Sequence, residues 1–473
     1  MIAENPALTG SPISTTVTNV PAPIGPDEFT VGAYASPGGA GALLGAATDV
    51  PFTVLKAQLN TLNLTLDGNL NSIVCEPVAP FVTGTGSAFT VVGPTGQIVL
   101  LPEDAGTNVI IGPGTIPALS LAATTPSQAT VTTTGTSNEF TANVLTTGTV
   151  VPLTASGTDL AGNTVSNTAC SITREPALYV TNHGPDGLAP SVSIYSATAT
   201  GSAVPVATLA GNKTNLSGVQ FAAVDPQGNL YVTNEGPMPG ATFSPTSGYV
   251  TVYGPGSDQS GNQAPIATIT NLNVPEGITF DSKNNLYVLS IDRIQEFPPG
   301  LGNATGPPSN IIAGSKTDLV SCYGMFVDAS GIIYTACSDV LNVFPAGSTG
   351  NATPALIETP TQTSMSFGSN SWLSVAADSS GTIYAPAFNQ QQDAVDGYAA
   401  GTTGASVPTI DGQGFSQPLG IFIDASGYFY VANFGNSSVD VFDTKTALEV
   451  GAPAATATIT GSGLSEPYGV YVR

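Results

Sequence analysis

Gly277-Ile-Thr-Phe-Asp281-Ser-Lys-Asn-Asn-Leu-Tyr287-Val288 is the stretch that decides the fold. A short extended run ends at an aspartate, a polar turn follows, and Leu-Tyr-Val starts a second run. The aspartate can cap such a turn through its own side chain, and the turn's last place suits a residue that tolerates positive φ. The same reading returns at Gly218…Asp225…Gly228…Tyr231, Gly324…Asp328…Gly331…Tyr334, Leu373…Asp378…Gly381…Tyr384 and Gly420…Asp424…Gly427…Tyr430. The aspartates at 225, 281, 328, 378 and 424 are 56, 47, 50 and 46 residues apart. Self-similarity at about 40–50 residues marks a solenoid, a propeller or an array.

Each unit reads as four short strands. A third follows the Tyr, as in Gly248–Tyr253 or Ser438–Phe442, and a fourth precedes the next unit, as in Ile266–Ile269 or Ala455–Ile459. Helix-period runs are missing. Four-stranded sheets arrayed radially make a β-propeller. Tyr468-Gly-Val-Tyr-Val472 reads as a first strand without a second, and Ala177-Leu-Tyr-Val-Thr181 as a second strand without a first. Together they complete one blade, which predicts six blades, closed by strands from both ends of the repeat region and leaving no free radial edge.

The repeat resembles that of NHL-repeat propellers, most closely in Gly277-Ile…Asp281…Leu-Tyr287-Val…Arg293-Ile-Gln-Glu-Phe297 and then in the unit carrying Asn436 and Phe442. The resemblance covers residues 177 to 473 and implies architecture. That family includes scaffolds, ligand-binding modules and some enzymes, so it implies no single activity.

Residues 51–175 lack the repeat. Leu59, Leu62, Leu64 and Leu66 partly alternate with polar residues, and Phe89-Thr-Val-Val and Gln97-Ile-Val-Leu flank Gly93-Pro-Thr-Gly96, a hairpin signal. Gly157-Thr-Asp-Leu-Ala-Gly-Asn163, between Val151–Ser156 and Val165–Ile172, resembles the closing hairpin of bacterial Ig-like domains. A sandwich of about seven strands fits this length. Residues 1–50 are rich in Pro, Gly, Ala and Thr and read as an extended arm or linker, able at most to add one short strand to a neighbour, because Pro12, Pro21, Pro23 and Pro26 interrupt pairing. The expected organisation is an arm over 1–50, an Ig-like sandwich over 51–175 and a six-bladed propeller over 176–473, an all-β protein throughout.

Of 473 residues only 8 are Lys or Arg against 32 Asp or Glu, a net charge of -24. Nucleic-acid binding needs a basic stripe, and anionic membranes repel such a chain. No window approaches the roughly 18 apolar residues of a spanning helix. Met1-Ile-Ala-Glu4 shows no basic or apolar leader segment. Even so, scarce Lys and sequons at Asn63, Asn212, Asn215, Asn303, Asn351 and Asn436 fit a mature exported protein, extracellular or on the cell surface.

Four cysteines divide two and two. Cys322 and Cys337 flank one hairpin symmetrically about Asp328 and Gly331, which places them opposite each other unless a bulge shifts the register. Cys75 and Cys170 are left for one another. Two disulfides imply oxidation outside the cytosol.

Chemistry is harder to find. His183 is the only histidine, which rules out a three-histidine zinc site; at the end of a strand, it reads as solvated unless a partner and pocket join it. No Ser lies in a Gly-x-Ser-x-Gly elbow. The turn aspartates, one per unit and far apart, read as caps rather than calcium ligands. Tyr231, Tyr287, Tyr334, Tyr384 and Tyr430 could stack sugars but recur as blade packing does. A channel metal of the lactonase type could draw on Asn182, Asn234, Glu276, Asn389 and Asn433. Asn182, Asn234 and Asn433 share one unit position, as a repeated turn requires. Glu276 stands alone at its position, where other units have Tyr323 and Leu419. The leading expectation is a non-catalytic surface or matrix protein without cofactor that binds a protein partner or self-assembles into filaments. The alternatives are a metal-dependent lactonase-type hydrolase in the channel and a glycan-binding adhesin.

Overall fold

The computed structural model describes residues 24–36, 40–56, 60–62, 65–111, 114–184, 189–236, 248–300, 306–337, 340–360, 373–388, 393–401, 403–406, 410–413, 415–443 and 455–473. Among these the regular structure is β-strand with short 3-10 turns, and no helix is long and apolar enough to cross a membrane. The chain divides into two compact units, the first running to Val91 and resuming over Gly96–Arg174, the second made of Val92–Thr95 and Glu175–Arg473.

In the first unit, Gly25–Ser36 pairs antiparallel with Ala40–Val54, Phe29 opposite Val50, and the rings of Phe29 and Phe52 meet edge to face at 6.2 Å. The stretch read as an arm therefore pairs with itself from Gly25 onward; residues 1–23 lie outside the described residues. Beyond the hairpin, Ser72–Val78, Thr95–Glu103, Glu139–Val144 and Ala129–Thr133 form one sheet. A second sheet contains Val150–Thr158, Ser171–Glu175 and Ala88–Val92. Alternation sends Ile73, Ile98, Leu100, Phe140 and Ala142 from one sheet, and Phe89, Val91, Val151, Leu153 and Ile172 from the other, into one buried cluster. Cys75 and Cys170 lie in that cluster and form a disulfide closing 95 residues.

The second unit is of β-propeller type. Five sheets run in sequence order from an inner strand outward, their inner strands being Val219–Val224, Pro275–Phe280, Cys322–Val327, Ala376–Ala377 and Pro418–Ile423. The remaining sheet is composite: Pro467–Val472 is its inner strand and pairs antiparallel with Ala177–Asn182, Leu178 opposite Val472 and Val180 opposite Val470. These sheets are buried on both faces, so Val219–Val224, Leu230–Asn234 and Gly248–Tyr253 are inaccessible along their whole length, and apolar runs replace alternation.

The turns follow the sequence reading. Asp225 Oδ1 accepts the backbone N–H groups of Gln227 and Asn229 at 2.9 and 2.8 Å, and Asp281, Asp328, Asp378 and Asp424 repeat the pattern. The other carboxylate oxygen receives the hydroxyl of the repeat tyrosine, at 3.3 Å for Tyr231 and 3.1 Å for Tyr384. Those tyrosines are buried, and the aspartates spend their oxygens within the turn. Both belong to the frame.

Neighbouring inner strands touch by way of small residues. A Cβ on Gly277 would meet Met325 and Tyr323, one on Gly324 would meet Ser374, one on Gly420 would meet Tyr468, and one on Gly469 would meet Gln220 and Phe221. Buried hydroxyls tie the same strands together: Thr181 Oγ1 donates to Gln220 O at 2.6 Å, Thr233 Oγ1 to Glu276 O at 2.7 Å and Ser374 Oγ to Ile421 O at 3.4 Å.

Candidate active site

A bulge interrupts the pairing of five inner strands at one place, between Val219 and Ala222, Pro275 and Ile278, Cys322 and Gly324, Pro418 and Gly420, and, on the last strand, Pro467 and Val470. An extra residue in a bulge leaves the ladder and re-aims its side chain. The residues set there are Gln220, Glu276, Tyr323, Leu419 and Tyr468, with Leu373 at the matching place before Ala376–Ala377. Taken in the order in which their strands touch, these residues are Tyr468, Gln220, Glu276, Tyr323, Leu373 and Leu419. One arc is polar and aromatic; the other is aliphatic.

Glu276 is 2% exposed and Gln220 3%, yet Glu276 Oε2 and Gln220 Oε1 have no hydrogen-bond partner. Stranding polar oxygens in a protein interior costs about 1–3 kcal/mol each. Burial pushes the Glu276 carboxyl well above the usual carboxylate range, and the nearby charge of Glu235 pushes it further. Glu235 sits on the segment following Leu230–Asn234, where its N–H bonds Gly218 O at 3.0 Å. Burial raises its carboxyl as well, while His183 acts in the opposite direction. His183 holds the corresponding place one sheet back, its N–H on Glu466 O at 3.1 Å and its ring 6.2 Å from that of Tyr468. Tyr468 packs edge to face on Phe221 at 5.6 Å. Burial first, then the charges of Glu276 and Glu235, then Tyr323, hold its hydroxyl well above the normal phenol range. Glu235 thus acts on Glu276, His183 on Glu235, and both carboxyls and Tyr323 on Tyr468.

The asparagines named from the sequence do other work. Asn234 Oδ1 accepts the N–H of Ser217 at 2.9 Å, Asn433 Oδ1 that of Ser416 at 3.2 Å and Asn182 Oδ1 that of Ser465 at 3.1 Å. Each caps the turn leading into an inner strand, with its oxygen already committed. Asn389 lies outside the described residues. The matching place in the sheet of Ile333–Cys337 is Cys337, which forms a disulfide with Cys322. There a covalent bond fastens the strand that an asparagine fastens elsewhere. Cys322 is opposite Cys337 as the symmetric reading has it, by a different route: the ladder from Val327–Ile333 to Gly324–Ala336 is offset by one residue, and the bulge at Tyr323 restores the match.

Among the described residues, no three of His, Cys, Asp and Glu gather closely enough to hold a metal ion. With the oxygens of Asn182, Asn234 and Asn433 committed, the described residues do not fit a Glu/Asp/Asn metal set of the lactonase kind. Sequence reading found Glu276 and His183 separately and missed Gln220, Glu235, Phe221 and Tyr468 as their companions. The signal available was the residue before Gly277, Gly324, Gly420 and Gly469, which varies while the glycine recurs.

No family model matches the chain, and no curated protein matches it. Among solved structures it is similar to virginiamycin B lyase from Staphylococcus aureus, at 7% identity and a TM-score of 0.33, over 75% of this chain and 96% of that one. It is also similar to a gluconolactonase from Xanthomonas campestris, at 14% identity and a TM-score of 0.32, over 59% of this chain and 86% of that one. A third likeness is to the PQQ-bound aldose sugar dehydrogenase of Streptomyces coelicolor, at 13% identity and a TM-score of 0.35, over 63% of this chain and 94% of that one. Likenesses of this strength carry no argument about chemistry.

Proposed function

We propose that the six sheets are the blades of one closed propeller, that the two-sheet unit before them is an Ig-like domain, and that the axis of the propeller is an acid–base active site of hydrolase type in an exported protein. Two disulfides support export. The carrying observation is the buried carboxyl of Glu276 with an unpartnered oxygen. A purely structural channel has no use for that arrangement, since the same bulge position takes Leu419 in another sheet.

Two carboxyls in unequal surroundings divide the labour of acid and base. Glu276, the more buried, has the more strongly raised carboxyl and serves as the acid. Glu235, raised by burial but opposed by His183, serves as the base. For an ester or lactone, Glu235 takes a proton from water as the water oxygen bonds to the carbonyl carbon. The acyl C–O bond then breaks, and the Glu276 proton passes to the leaving oxygen. Proton exchange with solvent returns both groups. This reading keeps the hydrolase alternative but routes no step through a metal, because the donor set does not fit one.

The test is hydrolysis of a panel of aliphatic lactones and aryl esters by wild type, Glu276→Gln and Glu235→Gln. Loss of turnover by about a hundredfold or more in either variant is the expected result. Undiminished turnover in Glu276→Gln removes the site.

A further inference from the structure

We infer that the ring formed by Gln220, Glu276, Tyr468, Tyr323, Leu373 and Leu419 binds an organic ammonium ion with a short apolar body. The inference rests on the axis reading and specifies its ligand class. Gln220 and Glu276 stand on neighbouring inner strands, both side chains are more than nine-tenths buried, and Gln220 Oε1 and Glu276 Oε2 each lack a hydrogen-bond partner. A ligand that satisfies them has to bring N–H or O–H groups. An ammonium brings three donors and a charge.

Charge selects between the two kinds of donor. Glu276 is a ring residue and Glu235 acts on it, His183 opposes Glu235 alone among the described influences, and the chain carries a net -24. The rings of Tyr468, Phe221 and Tyr323 add aromatic faces, which attract cations. A bare metal ion is disfavoured, because among the described residues no three acidic or histidine side chains converge, and two of the six ring residues are aliphatic. Leu373 and Leu419 complete the ring opposite Gln220 and Glu276, so one end of the ligand is polar and the other aliphatic. On binding, the ammonium keeps its protons while Glu276 gives its own to solvent. Where the folded chain still holds that proton, complex formation therefore releases it.

The probe is n-butylammonium chloride, titrated calorimetrically into the full chain in two buffers of different ionisation heat, with n-butanol and calcium chloride as comparisons. Butylammonium should bind with proton release and about tenfold or more ahead of butanol, and Glu276→Gln should remove both the preference and the proton release. Gln220→Leu should weaken binding without abolishing proton release. If butanol binds equally well and Glu276→Gln weakens both, the site stands and the cation class falls. If calcium binds stoichiometrically and displaces butylammonium, the ligand is a metal and the inference is wrong. Butylammonium binding that ignores Glu276→Gln, or no binding of any probe, overturns the inference; the turnover assay judges the catalytic reading separately.

Discussion

The hydroxyl of Thr233 donates to the backbone carbonyl of Glu276 at 2.7 Å and receives the N–H of Phe221 at 2.9 Å, so one buried side chain spans two sheets and fixes the residue on which the site depends. Thr181 does the same one sheet earlier, donating to Gln220 O and receiving the N–H of Gly469 at 2.8 Å.

Thr233→Val keeps the shape and strands a buried N–H and carbonyl. It should cost about 1–3 kcal/mol in denaturant unfolding. Thr233→Ser should recover most of the loss. Because Thr233 acts through Glu276, the valine variant should also shift the pH dependence of turnover, which a uniform loss of stability does not move.

Glu276 gives a signed pH effect. Its carboxyl is raised in the folded chain above its ordinary value of 4.5, so the folded state holds a proton that the unfolded state has released. Stability from this group is complete below that value and is lost as pH rises through the folded value. Glu276→Gln removes this dependence. Thermal melts in a pH series rising from the ordinary value of 4.5 should show wild type losing ground to the variant as pH rises. A constant difference between the two denies the shift.

The Cys322–Cys337 bridge closes a separation of 15 residues, and removing it should cost about 3 kcal/mol. The other sheets show how to compensate. Pro275, Pro418 and Pro467 precede the bulge where Cys322 does, and Asn234 and Asn433 cap where Cys337 does. The double variant Cys322→Pro, Cys337→Asn should therefore melt above Cys322→Ala, Cys337→Ala. Equal melting means the asparagine cap is not transferable.

Gly469→Ala places a methyl 2.8 Å from both Gln220 O and Phe221 Cδ1. The two inner strands have to separate, at about 1–3 kcal/mol. Since Gln220 and Tyr468 flank the contact, butylammonium affinity should fall more than in Gly427→Ala, whose Cβ meets nothing within 4 Å.

Much of this was legible in the residues. Asp225, Asp281, Asp328, Asp378 and Asp424 announce the turn, because an aspartate that caps its own backbone needs only neighbours in sequence. Cys322 and Cys337 were readable for the same reason. The site was not. Glu276, Glu235, His183 and Tyr468 come from separate strands and meet only when the sheets stand side by side. The bulge that aims Glu276 inward leaves no mark beyond a glycine. The asparagines misled in the opposite direction: Asn182, Asn234 and Asn433 carry ligand-type oxygens, but backbone N–H groups reach them first.

Thr181 and Gly469 hydrogen-bond across 288 residues of chain. During synthesis, Ala177–Asn182 emerges early and has no inner partner until Pro467–Val472 leaves the ribosome. Through that interval its edge is open to any other strand, including that of a second nascent chain. Contacts this distant also make folding slow. Pro467–Val472 therefore decides whether the second unit reaches its native state or aggregates, and a ribosome stalled before it leaves the sheet of Ala177–Asn182 without its inner strand.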